Sequence, residues 1–173
     1  MLSTIRPVDP LQLHRHWPFI ARALNAIRDK AGRTQWWNED VYASLQFRAA
    51  AGYIVEVKGY PVGFFVVHPQ AVPWVGETEL FLWICWSAPL AEWPVTPDEH
   101  NLVAYETLAF IAKLALDAGH SQVSTLTVRR GLMRQYPNLW EGHTYPCSIG
   151  MDKLRQLVAR EVVGSAMAKD DNP

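Results

Sequence analysis

Hydrophobic residues recur along this chain at two periods, and the alternation of the two predicts its elements. Thr4 to Val8 is short and extended. Asp9-Pro10 then reads as a helix N-cap followed by a first helical residue. Leu13, Trp17, Ile20, Leu24, Ile27 and Ala31 follow at alternating spacings of four and three, one apolar helical stripe. Arg15, Arg22, Arg28 and Lys30 fall off that stripe. Pro18 lies inside the pattern, which predicts a kink or restart near Trp17, and Gly32 is the expected stop. Asn38 is placed to cap a second helix, with Glu39 and Asp40 in its first turn and Val41, Tyr42 and Leu45 on its inner face; it ends before Gly52.

Strand-like segments come next. Tyr53 to Lys58 and Val62 to His68 read as two strands joined by a tight turn at Gly59-Tyr-Pro. Glu79 to Trp86 is a third strand, and its continuous apolarity predicts burial on both faces. Thr96-Pro97-Asp98-Glu99 spells a capping box that opens a long helix. Leu102, Tyr105, Ala109, Ala112 and Leu116 supply its inner face, widened by Leu108, Ile111 and Ala115, and Gly119 closes it. Gln122 to Val128 is another strand. Arg129 to Tyr136 fits a short helix broken by Pro137. Trp140 to Met151 fits a last hairpin, Asp152 to Met167 a terminal helix, and Lys169 to Pro173 a frayed tail. A strand, two helices, three strands, a helix and a strand, closed by helix and strand segments, predict an α/β protein with helices on a mixed sheet.

Composition narrows the class. The chain has 173 residues, 49% hydrophobic and 19% charged, which suits one core and excludes disorder of the whole chain. A formal net charge of -1 without long runs of one sign argues against a nucleic-acid or anionic-membrane binder. Two cysteines, Cys85 and Cys147, cannot frame a disulfide scaffold of this size, so a reducing, cytoplasmic-type compartment is expected. The longest apolar run, Leu80 to Trp86, falls far short of the roughly 20 residues of a membrane helix. Eight tryptophans stand out, several in loops beside prolines. They suit either the patching of a loop-rich core or a protein-binding surface around Trp74, Trp93 and Trp140.

The element order, together with Ile5-Arg-Pro, His16-Trp17, Trp37 to Leu45, Gly63 to Val67, Leu82 to Trp86, Tyr105 to Leu108, Ala118-Gly119 and Arg129-Arg-Gly131, resembles the GNAT superfamily of acyl-CoA N-acyltransferases. The resemblance covers roughly residues 4 to 150 and is closest to a divergent branch found in bacteriophage genomes, which implies a host cytoplasm or a virion as the setting. It implies a GNAT-like three-layer fold over residues 1–152, with a splayed central sheet flanked by helices and residues 153–173 as a C-terminal helix and tail. It also implies that acetyl-CoA lies where Leu80 to Trp86 and Val123 to Val128 part. Trp83, Ile84, Cys85, Trp86, Ser87 and Thr96 are then the cofactor-contacting positions. Glu79, with Glu77 nearby, falls where the family keeps the base that takes the amine proton, and Tyr136 where it keeps the acid for the leaving thiolate. Plainer readings stand beside these: a solvated strand entrance for the glutamates and a half-buried tyrosine before a proline.

The chain departs from the family at one motif. The pyrophosphate turn of GNAT enzymes is rich in glycine and opens a helix. Here Ser87 to Glu99 has neither glycine nor arginine, and Pro89, Pro94 and Pro97 donate no N–H. Asp98 and Glu99 already bring negative charge to the helix start. Weak or absent catalysis is therefore expected, and the alternative is a non-catalytic virion or host-interaction module. Cys85, mid-strand, reads as a small core residue. His14 and His16, two apart, do not share a helix face, and the other histidines lack ligand spacing, so no metal site is expected. Arg129, Arg130 and Arg134 suit a solvated face, or else an acidic or phosphate-bearing partner.

Overall fold

In the computed structural model, residues 1–27, 38–68, 79–125, 138–141 and 147–170 are described. Six strands, β1 (Ser3–Pro7), β2 (Ala51–Val57), β3 (Tyr60–His68), β4 (Glu79–Ser87), β5 (Gln122–Thr125) and β6 (Cys147–Gly150), follow one another across an open sheet in chain order. Among the described residues four helices accompany them: α1 (Leu13–Ala26), α2 (Asn38–Gln46), α3 (Pro97–Asp117) and α4 (Met151–Asp170). β1–β2, β2–β3 and β5–β6 are antiparallel, while β4 and β5 run parallel because α3 carries the chain between them. The protein is thus α/β with a mixed sheet. The chain forms two compact units, one of residues 2–69 and 83–101, the other of residues 70–82 and 102–173 with Met1.

The first unit holds β1 to β3, α1, α2 and the outer half of β4. Asp9 caps as expected, its Oδ1 accepting from the Leu11 N–H at 3.0 Å. The turn it opens is 3-10, Pro10–Gln12, before α1 begins at Leu13. α1 runs unbroken through Pro18, although that residue gives no N–H to the His14 carbonyl. The helix stops at Ala26, six residues before the expected stop, because Ile27 turns extended at φ -82 and ψ 112; Gly32 lies outside the described residues. Leu13, Ile20, Leu24 and Ile27 are buried, so the stripe reads correctly where it is described.

Asn38 does not cap α2. It is the first described residue of the helix, and its Oδ1 is buried with no hydrogen-bond partner among the described residues. Val41 and Leu45 are buried as expected, and Tyr42 meets Trp17 edge-on at 4.8 Å. The β2–β3 turn is Lys58–Gly59, one step before the expected site. Both residues have positive φ (52° and 81°), the two-residue geometry that matches strand twist.

The second unit holds the root of β4, most of α3, β5, β6 and α4. The buried face of α3 is Val103, Glu106, Leu108, Ala109, Ile111, Ala112 and Ala115. This face is rotated from the expected one: Leu102 is 49% exposed, and Glu106, a charged residue, is buried. Gly119 closes α3 at φ 78, with its N–H on the Leu116 carbonyl and the His120 N–H on the Ala115 carbonyl, the double-bonded end that a left-handed residue permits. Of the expected last hairpin, β6 pairs with β5, and Glu141 bridges Ser148 on the other edge of β6. α4 starts at Met151 and runs to Asp170, past Lys169. The Tyr105 hydroxyl donates to the Leu157 carbonyl at 3.0 Å and ties α3 to α4.

Candidate functional site

β4 changes character along its length. Leu80, Phe81 and Leu82 are buried on both faces, as the apolar run predicts. From Trp83 onward the strand alternates, with Ile84 and Trp86 buried and Cys85 and Ser87 exposed. Cys85 is therefore not the core residue its sequence setting suggests. The described register with β5 runs from Glu79↔Gln122 to Leu82↔Thr125. Residues 126–137 lie outside the description, and Tyr136, Arg129, Arg130 and Arg134 with them. The same holds for Glu77 and Trp74.

At the root of β4 the half-buried Glu79 faces Gln122 and Ser124. Those two residues share one face of β5 because they are two apart. The Gln122 Nε2 amide donates to Glu79 Oε1, and the Ser124 hydroxyl donates to Glu79 Oε2 at 2.6 Å. Ser124 is 1% exposed, so its hydroxyl is fixed by its surroundings as well as by the carboxylate. No cation pairs with Glu79 among the described residues. The sequence reading singled out Glu79 but missed its two partners. The available signal was the polar pair Gln122 and Ser124, two apart and so on one face of the strand.

The connection from β4 to α3 is held from several sides. The Trp93 indole is buried and donates Nε1–H to the Ala88 carbonyl at 2.7 Å, and its ring lies 4.4 Å from that of His100. Arg22 of α1 pairs with Glu92, and the Lys58 ammonium donates to the Pro94 carbonyl at 3.0 Å. The capping box forms as spelled: the Thr96 N–H donates to Glu99 Oε2 at 2.7 Å, and the Glu99 N–H donates to Thr96 Oγ1 at 3.3 Å. The bond from the Thr96 N–H, helped by the Lys58 charge and the Thr96 hydroxyl, holds the Glu99 carboxyl below its ordinary range despite some desolvation. Thr96, expected among the cofactor contacts, thus spends its cap on its own helix.

The connection differs from a glycine-rich turn in three ways. Three prolines lack N–H groups, a carboxylate already sits on the helix start, and Trp93 fills the inside of the loop. Trp93 (8% exposed) and Trp140 (7%) are buried, so neither ring presents the protein-binding surface that the loop setting suggests.

His68, at the end of β3, lies 5.0 Å from the Trp83 ring, and its Nδ1 is 3.3 Å from the Ala49 carbonyl. Burial pushes its imidazole below the ordinary value of 6.5, against the pull of that carbonyl. The unfolded chain therefore takes up the His68 proton at a higher pH than the folded chain does. Stability contributed above 6.5 is lost as pH falls from there through the folded value. A His68→Gln chain is expected to lose less stability than the native chain across that window in denaturant titrations. An identical pH slope in the two chains would refute this.

Among the described residues no cluster of three or more potential metal ligands is gathered, and no helix is long and apolar enough to cross a membrane. No family model and no curated protein matches the sequence. Solved structures do match. A spermidine N-acetyltransferase chimera of Vibrio cholerae SpeG and hSSAT superposes with a TM-score of 0.60 at 10% identity, over 90% of this chain and 99% of that one. A GNAT family acetyltransferase from Brucella melitensis in complex with acetyl-CoA gives 0.59 at 16% identity, over 86% and 87%. The aminoglycoside acetyltransferase AAC(6')-Ib in complex with coenzyme A gives 0.59 at 13%, over 89% and 98%. With its strand order, its parallel β4–β5 step and these likenesses, the chain has the fold of the GNAT acetyltransferases.

Proposed function

We propose that this chain is an N-acyltransferase-like protein of the GNAT fold that grips acyl-CoA weakly. The observation that carries this reading is the closed capping box at the start of α3, where Thr96 and Glu99 occupy each other's backbone donors. An incoming pyrophosphate would have to displace a carboxylate from a helix start that favours negative charge. It would also lie beside Asp98, a second acid of the first turn.

The fold and the half-buried Glu79 support an amine acceptor. Spermidine and aminoglycosides, the classes named for two of the matching structures, are the amines to try first. Calorimetric titration of acetyl-CoA into the native chain is expected to show no saturation below about 1 mM, an affinity of roughly -4 kcal/mol or weaker. The Asp98→Ala, Glu99→Ala chain, which removes two negative charges and frees the Thr96 N–H, is expected to bind more tightly than the native one. Micromolar binding by the native chain would overturn the reading.

A second reading is a non-catalytic interaction module, of a phage virion or host-directed kind. One observation favours it: Leu11 and Phe47 are 81% and 78% exposed, in the 3-10 turn and just after α2, two elements that pack together. Binding of an amine near Glu79 separates this reading from the first.

A further inference from the structure

We propose that Gln122 and Ser124 are positioning residues that orient the Glu79 carboxylate toward a protonated amine. The inference rests on the acyltransferase-like reading and names how its acceptor is held.

Three observations converge. Each Glu79 oxygen takes one hydrogen bond from β5, so the carboxylate plane is fixed by two donors on one rigid strand. Both donors are neutral, so they orient the carboxylate without cancelling its charge. An ionised carboxylate has room for about four hydrogen bonds, so each oxygen can still accept another donor. A partly buried anion in this state attracts a cation more strongly than one in open water, because the surrounding dielectric is lower.

An alkylammonium matches the arrangement. It carries three N–H donors and one positive charge, and the half-buried Gln122 has a further acceptor, Oε1, beside the carboxylate. The proton step balances simply: the ammonium gives one proton to a Glu79 oxygen, which leaves a neutral amine with a free lone pair and a neutral carboxylic acid. Fixing the carboxylate in advance spares the ordering cost that a freely rotating glutamate would meet on binding.

The test uses the full chain with carbon-13 at glutamate side-chain carboxyls, the Glu79 signal being assigned by its loss in Glu79→Gln. Spermidine is the probe, and magnesium and potassium chlorides are the cation controls. In the native chain spermidine is expected to displace the Glu79 signal saturably, while the two salts do not displace it at equal ionic strength. Ser124→Ala and Gln122→Ala are expected to move the resting signal and weaken spermidine binding about tenfold. Ser124→Thr, which keeps the hydroxyl, is expected to restore both.

A resting signal unmoved by either alanine overturns the positioning, whether or not the amine binds. A signal that moves while spermidine affinity stays native makes the pair a strut between strands and also overturns it. Displacement by the salts as strong as by spermidine shows a general cation site and overturns the amine assignment. Acetyl-CoA plays no part in these measurements. A failure of the acyl-CoA reading therefore leaves this result standing, and the converse also holds. Melting temperatures of the variants are followed alongside, so that loss of fold is not read as loss of binding.

Discussion

Replacing Phe65 by alanine is expected to cost about 4 kcal/mol of unfolding free energy and to lower the melting temperature by roughly 10 °C. Phe65 sits in the middle of β3, is 0% exposed and stacks on Tyr53 of β2 at 4.9 Å with 13° between the rings. The two residues face each other directly in the β2–β3 register, so the stack belongs to the strand pair itself. Removing the ring forfeits its transfer free energy and leaves a cavity. Val57, Val62, Val66 and Phe64 are likewise 0–1% exposed and have no free volume from which to fill it. Denaturant unfolding with an unchanged m-value is the appropriate measurement. A loss below about 1 kcal/mol would mean that the sheet collapses onto the gap, against the close packing argued here.

Gly52→Val is expected to be the next most damaging single change, at roughly 2–3 kcal/mol. A Cβ at Gly52 would stand 2.9 Å from Leu45 Cδ2 and 3.4 Å from both Phe64 Cε2 and Val8 Cγ2. The glycine is therefore the space into which α2 sets Leu45 against β2. Its carbonyl also accepts the Val8 N–H at 2.8 Å, so β2 cannot simply shift away. Gly52→Ala is the milder companion: the Leu45 methyl can swing aside, and the loss should be less than half that of valine. Equal losses for the two variants would show that the backbone, and not the side chain of Leu45, sets the limit.

Much of this fold is legible in the sequence, and the reasons are local. The stripe of α1, the spelled capping box, Gly119 and the β-branched and aromatic runs of β2 and β3 each fix a conformation through neighbours a few residues away. The misreadings share a different cause. Ile27 leaves the helix although its spacing suits the stripe. Leu102 turns outward while Glu106 turns in, and Cys85 is exposed inside an apolar run. Each of these depends on what lies across from the residue, which periodicity does not encode.

The candidate site divides the same way. Glu79 is singled out in sequence by the GNAT resemblance, which implies a base at the head of this strand. Its partners Gln122 and Ser124 lie 43 and 45 residues away in the chain and become meaningful only through the parallel register. Lys58 and Arg22, which clasp the β4–α3 connection, read as ordinary surface charges until the turn and helix that carry them are placed.

The same register has a consequence for how the chain reaches its native state. The β2–β3 hairpin closes over two turn residues, and such hairpins form within about 1–10 μs. The β4–β5 pair closes only when the chain has returned across 43 residues, a more costly loop to shut. β4, the most apolar strand, therefore spends the longest part of folding with one edge unpaired. That places the hazard of wrong association in the refolding pathway of this protein at Leu80 to Trp86.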